Sequence, residues 1–358
     1  MRYEKEKQEV IDWLKHPNEL GKAPSKIEFV KEFTDDDSNC LIFKYKKGLF
    51  SPWLLAIHSD SGVFSEQEKY DEKRDIEQAK KLLDFLKQYW KSVAKSVEES
   101  EKRKEKAKNF GAFVLKEEPE FEPDEFLKKY EEDWGERLKD NDGHGEKKEG
   151  VDARIFENEN GLRLVIGYMD FRVPNNEAEE NAVYNWMWKD AVATTEKHKA
   201  HEVITIMGDG EIKEQAMFYA KAVLTLCRME NNIGVYSNGV VYQPELFFAM
   251  EECIRNGELP IPVLVWIGLG REEDGISAWT DGMKNFGFDE MEMIGTKEKP
   301  EELHNLMIAL VDYCINNDVE FHDGDSMPVW AGLKIDVKKT KGVNVDDEGE
   351  TLKIRKVE

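Results

Sequence analysis

Between Glu98 and Lys108 the chain reads EESEKRKEKAK, with one alanine and no larger apolar residue. A stretch like this has nothing to give a hydrophobic core, so it reads as a solvated helical extension or linker that buries nothing. It divides the 358 residues into a unit at 1–97 and a longer one at 109–358. Each is long enough to fold without staples. The division also sorts the charge. The whole chain holds 51 Lys and Arg against 75 Asp and Glu, a net of −24. Residues 1–108 hold 23 bases and 22 acids, whereas residues 109–358 hold 28 and 53, a net of −25. Such an acid excess argues against direct capture of nucleic acid, which needs a basic surface that displaces counterions. It favours a basic protein partner, whose approach a negative field would speed.

The first unit opens with MRYEKEKQEVIDWLK, an amphipathic helix with Val10, Trp13 and Leu14 on one face, and not a leader with an apolar core. Three strand-like runs follow, IEFVKEF, CLIFKYK and WLLAIHS, separated by DDDSN and KGLFSP, both with turn chemistry. A helix from Asp75 to Val97 then carries Ile76, Ala79, Leu83, Leu86 and Trp90 at helical spacing. Helix, antiparallel meander and helix make a small α+β module. The four cysteines, Cys40, Cys227, Cys253 and Cys314, form no Cys-x-x-Cys pair and no disulfide framework. No apolar run is long enough to span a bilayer. A cytoplasmic setting, with no membrane among the partners, is the expectation.

In the second unit FGAFVLKEEPEF reads as a strand, Asp124–Trp134 as a short helix, and residues 139–150 as a polar exposed loop. From Val151 on, strands and helices alternate. LRLVIGYMDF, EVITIMG, PVLVWIGL, SAWTDGMKNFG and EMEMIG read as strands. Helices are expected at Glu177–Lys197, Glu211–Met229, Pro244–Arg255 and Pro300–Asn316. Asn238-Gly239 suits a type I′ hairpin turn, and GLKIDVKK with TLKIRKV forms a final polar hairpin. The pattern predicts an α+β fold, alternatively α/β: a mixed β-sheet with helices packed on it, preceded by the small α+β module.

Several pieces in order, FGAFVLKEEPEF, VPNNEAEENAVYNWMWKDAV, HKAHEVITIMG, GVYSNGVVYQPELF, AWTDGMKNFGFDEMEM and GETLKIRK, resemble the bacterial family known as domain of unknown function 4261. The resemblance extends over about residues 109–358 and leaves the first unit outside it. It implies a small cytosolic α/β protein without an assigned reaction. Some bacterial proteins of this general kind are associated with toxin and immunity systems, so the resemblance also implies a toxin as one basic partner.

The residues that could carry chemistry are few. His198 and His201 in KHKAH, spaced i, i+3, could present two imidazoles to one metal, with His322, Asp323 and Asp325 of HDGD supplying further ligands. A histidine in a last helical turn also meets the helix dipole, so capping competes with that reading. Asp35, Asp37 and Asn39 begin a calcium-loop pattern that then fails, since Cys40 stands where Gly is needed and Lys46 where Glu is needed. GLGREEDG places its third glycine too late for a dinucleotide loop, and its three acids would repel a pyrophosphate. Glu290 and Glu292 alternate along a strand, which reads as a solvated face opposite Met291 and Met293, or as an acid/base pair. Trp186 and Trp188 cannot share one helix face, so one is assigned to the core and the other to a partner-binding surface. No cofactor motif occurs. The expected function is a non-enzymatic protein-binding module, with a metal-assisted hydrolase or a self-associating structural module as alternatives.

Overall fold

The structure, a computed structural model, describes residues 3–35, 38–141, 151–273, 275–330, 332–345 and 349–357. The readings that fall on Asp37, on residues 142–150, on Asp274 and on residues 346–348 lie outside the described residues. Contacts group the chain into two compact units, Met1–Glu101 and Lys102–Glu358.

In the first unit, helix α1 (Glu4–Lys15) precedes strands β1 (Lys26–Asp35), β2 (Ser38–Lys46), β3 (Leu54–Ser59) and β4 (Gly62–Phe64), followed by helix α2 (Asp75–Lys106). The strands pair antiparallel in chain order. Alternation along β2 assigns its two faces. Cys40 and Ile42 pack with Leu55, Ile57 and the α2 residues Ala79, Leu82, Leu83 and Leu86. Leu41, Phe43 and Tyr45 pack with Leu54, Ala56 and the α1 residues Val10 and Leu14. Each helix therefore covers one face of the sheet.

The second unit contains two sheets. The larger runs β11-β10-β5-β9-β8-β7-β6 and is antiparallel throughout. Its strands are β5 (Gly111–Lys116), β6 (Lys139–Asp140), β7 (Val151–Glu157), β8 (Arg163–Met169), β9 (Ala200–Met207), β10 (Asn232–Ser237) and β11 (Val240–Tyr242). The smaller runs β12-β13-β14-β17-β16-β15, formed by β12 (Trp266–Glu272), β13 (Gly275–Asp281), β14 (Met291–Thr296), β15 (Ser326–Trp330), β16 (Leu333–Lys341) and β17 (Glu350–Val357). Among the described residues only β14 and β17 pair parallel.

Helices α3 (Pro123–Trp134), α4 (Glu177–Ala182), α5 (Ala191–Thr195), α6 (Ile212–Cys227), α7 (Pro244–Ala249), α8 (Glu251–Arg255), α9 (Ile261–Leu264) and α10 (Pro300–Asn317) complete the unit. Helix α6 lies across β5, β9 and β10, and α10 across β12 and β13. From Ala216 to Cys227 α6 is buried almost all round, as a helix between layers must be. One core joins α6, α10 and both sheets, and a smaller cluster under α4 and α5 covers the other face of the larger sheet. Antiparallel and mixed sheets with helices laid on them, and no repeated parallel crossover among the described residues, make the fold α+β.

Several expectations change. The run 98–108 is helical to Lys106, and Arg103 is buried at 3% exposed. Its guanidinium pairs with Asp318 and with Glu320 at 3.3 Å, and lies 5.0 Å from the Phe288 ring. A charged side chain is buried here because partners more than 200 positions away neutralise it. Glu177–Lys197 is not one helix. Between α4 and α5 the Asn185 side chain accepts the amides of Met187 and Trp188 at 3.0 Å and donates to the Val241 carbonyl at 2.8 Å, which closes a turn in place of the helical ladder. PVLVWIGL begins as α9 and becomes a strand only at Trp266, and SAWTDGMKNFG leaves β13 at Asp281 for a 3₁₀ turn at Met283–Phe286. Among the described residues no helix is long and apolar enough to cross a membrane.

Candidate functional site

The histidine pair does not sit on a helix. His198 follows α5 and His201 lies in β9. His198 is 1% exposed, and both its ring nitrogens serve the backbone. Nε2 accepts the Val173 amide at 3.0 Å, so Nδ1 carries the proton and donates to the Thr195 carbonyl at 2.6 Å. His201 donates from Nδ1 to the Phe171 carbonyl at 2.8 Å, and its ring packs against Phe113 and Phe171. Burial pushes its pKa down, which favours the neutral ring. His322, Asp323 and Asp325 close a turn onto β16: Asp325 accepts the His322 amide at 2.7 Å and Asp323 accepts the Lys339 amide at 2.8 Å. Among the described residues no three His, Cys, Asp or Glu side chains converge on a metal position. The expected ligand set is therefore dispersed into local backbone fastenings.

Trp186 and Trp188 lie in the turn between α4 and α5, not on a helix, and they differ in burial. Trp188 is half-buried in the cluster under α4 and α5. Trp186 remains 44% exposed, yet its indole donates to the Ile267 carbonyl at 3.2 Å and its ring lies 5.2 Å from His304. Val183, Tyr184 and Met187 are exposed around it.

Glu290 and Glu292 are not a solvated face. They are 2% and 0% exposed, and Met291 and Met293 are buried as well. Glu290 accepts from the Thr280 hydroxyl at 2.6 Å and from the amides of Gly282, Met283 and Lys284 at 3.1 to 3.3 Å. Glu292 accepts from Lys353, from the Thr351 hydroxyl at 2.5 Å, and from the amides of Val343 and Asn344. Each carboxylate ties a loop to the sheet. Neither faces open space, so the acid/base alternative is not realised.

The second unit carries a groove of about 1240 Å³. The α6 residues Lys213, Glu214, Met217, Phe218 and Lys221 form one wall, and the α10 residues Asn305, Ile308, Ala309, Asp312 and Asn316 form the other. Segments 135–137, 158–160 and 257–262 close the ends. Met217, Phe218, Leu259, Ile261 and Ile308 give it an apolar floor. Its rim carries three cations and five carboxylates, Glu136, Glu159, Glu214, Glu258 and Asp312. Every cation is already engaged: Lys221 with Glu136 at 2.5 Å, Arg137 with Glu131 at 2.6 Å, and Lys213 with the Asn316 carbonyl at 3.1 Å. Asp312 accepts from Asn316 at 2.7 Å. Glu159, Glu214 and Glu258 have no cationic partner among the described residues. Sequence reasoning did not single out this site. The one local signal is the stripe Asn305, Ala309, Asp312, Asn316 at helical spacing on an otherwise apolar helix.

Residues 279–355 match the family model described as Domain of unknown function (DUF4261). The match takes in most of the smaller sheet, α10, Glu290 and Glu292, covers well under half of the chain, and is narrower than the resemblance read over 109–358. No curated protein and no solved structure matches this chain.

Proposed function

We propose that the second unit is a protein-binding module whose groove between α6 and α10 takes a basic segment of a partner protein. The observation that carries this reading is the imbalance of the groove. Its cations are held by groups of the chain itself, while Glu159, Glu214 and Glu258 stand without cationic partners among the described residues above an apolar floor. An entering Lys or Arg would lay its stem on that floor and reach a carboxylate with its head. The surrounding field agrees: residues 102–358 hold 33 bases and 54 acids, a net of −21. Such a field speeds the encounter with a basic partner and disfavours acidic competitors. The hydrolase reading gains no support, because the bonded ring nitrogens of His198 and His201 serve backbone groups.

Affinity capture from the native host on the full chain tests this. The expected result is retention of basic proteins at low salt and their release at high salt, with Glu214→Lys plus Asp312→Lys losing them at an unchanged melting temperature. Equal recovery by the variant would overturn the assignment. An immunity role requires further that the recovered protein be a toxin whose lethality co-expression of this chain relieves.

A further inference from the structure

The connection between β2 and β3 carries two large apolar side chains in open solvent. Leu49 is 77% exposed and Phe50 100% exposed. The segment that bears them is closed. The Ser51 amide donates to the Gly48 carbonyl at 3.1 Å, and the Ser51 hydroxyl both accepts the Gly48 amide at 3.0 Å and donates to the Gly48 carbonyl at 2.9 Å. Leu49 and Phe50 thus occupy the two corner positions of a fixed turn, where a sequence selected for stability alone would place polar or turn-forming residues.

Behind the tip lies a cluster of lysines. Lys26 and Lys46 are directly paired across β1 and β2, a like-charge juxtaposition that opposes strand pairing. With Lys44 they converge on the Trp53 ring, their ammonium nitrogens 5.2, 5.1 and 4.9 Å from its centroid. Lys47 donates to the Gln67 side chain. Glu28 pairs with Lys26 at 2.5 Å and with Lys44 at 3.3 Å. Lys46 and Lys47 have no carboxylate partner among the described residues.

We propose that this tip docks the protein on the surface of an anionic bilayer, with Leu49 and Phe50 entering the interface and Lys26, Lys44, Lys46 and Lys47 meeting lipid phosphates. A projecting pair of apolar side chains backed by cations and a tryptophan matches the layering of a membrane surface, which is apolar inside, aromatic-tolerant at the interface and anionic outside. A second copy of this chain fits less well, because a two-fold contact through the tip would bring the lysines against their own symmetry mates. Screening in physiological salt confines each charge to its neighbourhood, so the net acidity of the chain does not by itself set the field at the tip. Attachment through so few groups is reversible.

Co-sedimentation of the full chain with vesicles tests the proposal, comparing phosphatidylcholine alone with phosphatidylcholine containing phosphatidylserine. Binding is expected only with phosphatidylserine present and should weaken as salt is raised. Leu49→Ser with Phe50→Ser should bind roughly tenfold more weakly, given the apolar area removed. Lys46→Glu with Lys47→Glu should abolish binding, and melting curves should show both variants folded. No binding by the natural chain, equal binding to both vesicle types, or undiminished binding by both variants would each overturn it. So would self-association that Leu49→Ser with Phe50→Ser disrupts in the absence of vesicle binding.

Discussion

Glu290 and Glu292 stand two residues apart at the start of β14, both buried, yet their carboxyls are perturbed in opposite directions. Burial disfavours the charged form of both, and it weighs more heavily on Glu290. For Glu290 burial dominates, reinforced by Asp281, and four neutral donors do not offset it, so its pKa rises to about 7. For Glu292 burial is outweighed by hydrogen bonds from Lys353, Thr351 and the amides of Asn344 and Val343, which hold its pKa below the usual range. Deeper burial and a nearby carboxylate raise one carboxyl, while an ammonium group with three neutral donors lowers the other.

The first prediction concerns pH. An unfolded chain ionises Glu290 near 4.5, while the folded protein holds the proton to about 7. The stabilisation is complete below the unfolded pKa and is lost as pH rises through the folded one, an effect on the order of 3 kcal/mol. Urea unfolding at pH 5 and pH 8 should show that loss in the natural chain. Glu290→Gln, which cannot ionise, should show a smaller one. The same pH dependence in both proteins would contradict the assignment.

Glu292 has the opposite sign. Its lowered pKa contributes stability that is present above pH 4.5 and disappears as pH falls through the folded value. Glu292→Gln should cost about 2 kcal/mol at neutral pH, since it leaves Lys353 and two amides poorly matched. The local readout is hydrogen exchange. Val343 and Asn344 should lose amide protection in the variant, while strands of the larger sheet keep theirs.

Lys116 and Glu202 form a buried pair, each 1% exposed and 3.3 Å apart. Glu202 Oε2 finds no donor among the described residues, and burial pushes the Glu202 pKa up despite the lysine. Removing one partner strands the other. Lys116→Met should therefore cost about 3 kcal/mol, and adding Glu202→Leu should restore most of it. A double-mutant cycle measures the coupling, and strictly additive effects would show that the two groups do not stabilise each other.

What the sequence reveals of this fold follows from how local each cause is. The alternation of Cys40 and Ile42 with Leu41 and Phe43 reports two covered faces, and both exist. Asn238 and Gly239, with φ of 49° and 64°, form the turn their chemistry demands. Helix α10 runs Pro300–Asn317, one residue beyond its expected end. By contrast, Asn185 breaks a helix by reaching the backbone of Val241, and Arg103 is buried by partners at 318 and 320. No window of sequence holds both members of such a pair. The groove was invisible for the same reason, since its walls come from α6, α10 and three separate loops. The turn at KGLFSP was legible, but the full exposure of its Phe50 depends on nothing folding over it.

Gly287 gives the last prediction, because its backbone and its surroundings both forbid a side chain. Its φ is +80°, and a Cβ there would lie 2.2 Å from the Arg103 carbonyl oxygen, a backbone atom that cannot rotate away. Gly135, which ends α3 at φ +69°, has the same backbone preference but nothing within 4 Å of a Cβ. At Gly135 alanine should cost about 1 kcal/mol of backbone strain, and asparagine, which tolerates this region, should cost less. At Gly287 both substitutions should cost more, about 2–4 kcal/mol, because relief of backbone strain does not remove the collision. Asparagine is therefore the discriminating substitution. Urea unfolding of the four variants should separate Gly287→Asn from Gly135→Asn. If the two cost the same, residues 103 and 287 do not approach as closely as described, and the seat of Arg103 in the second unit would have to be redrawn.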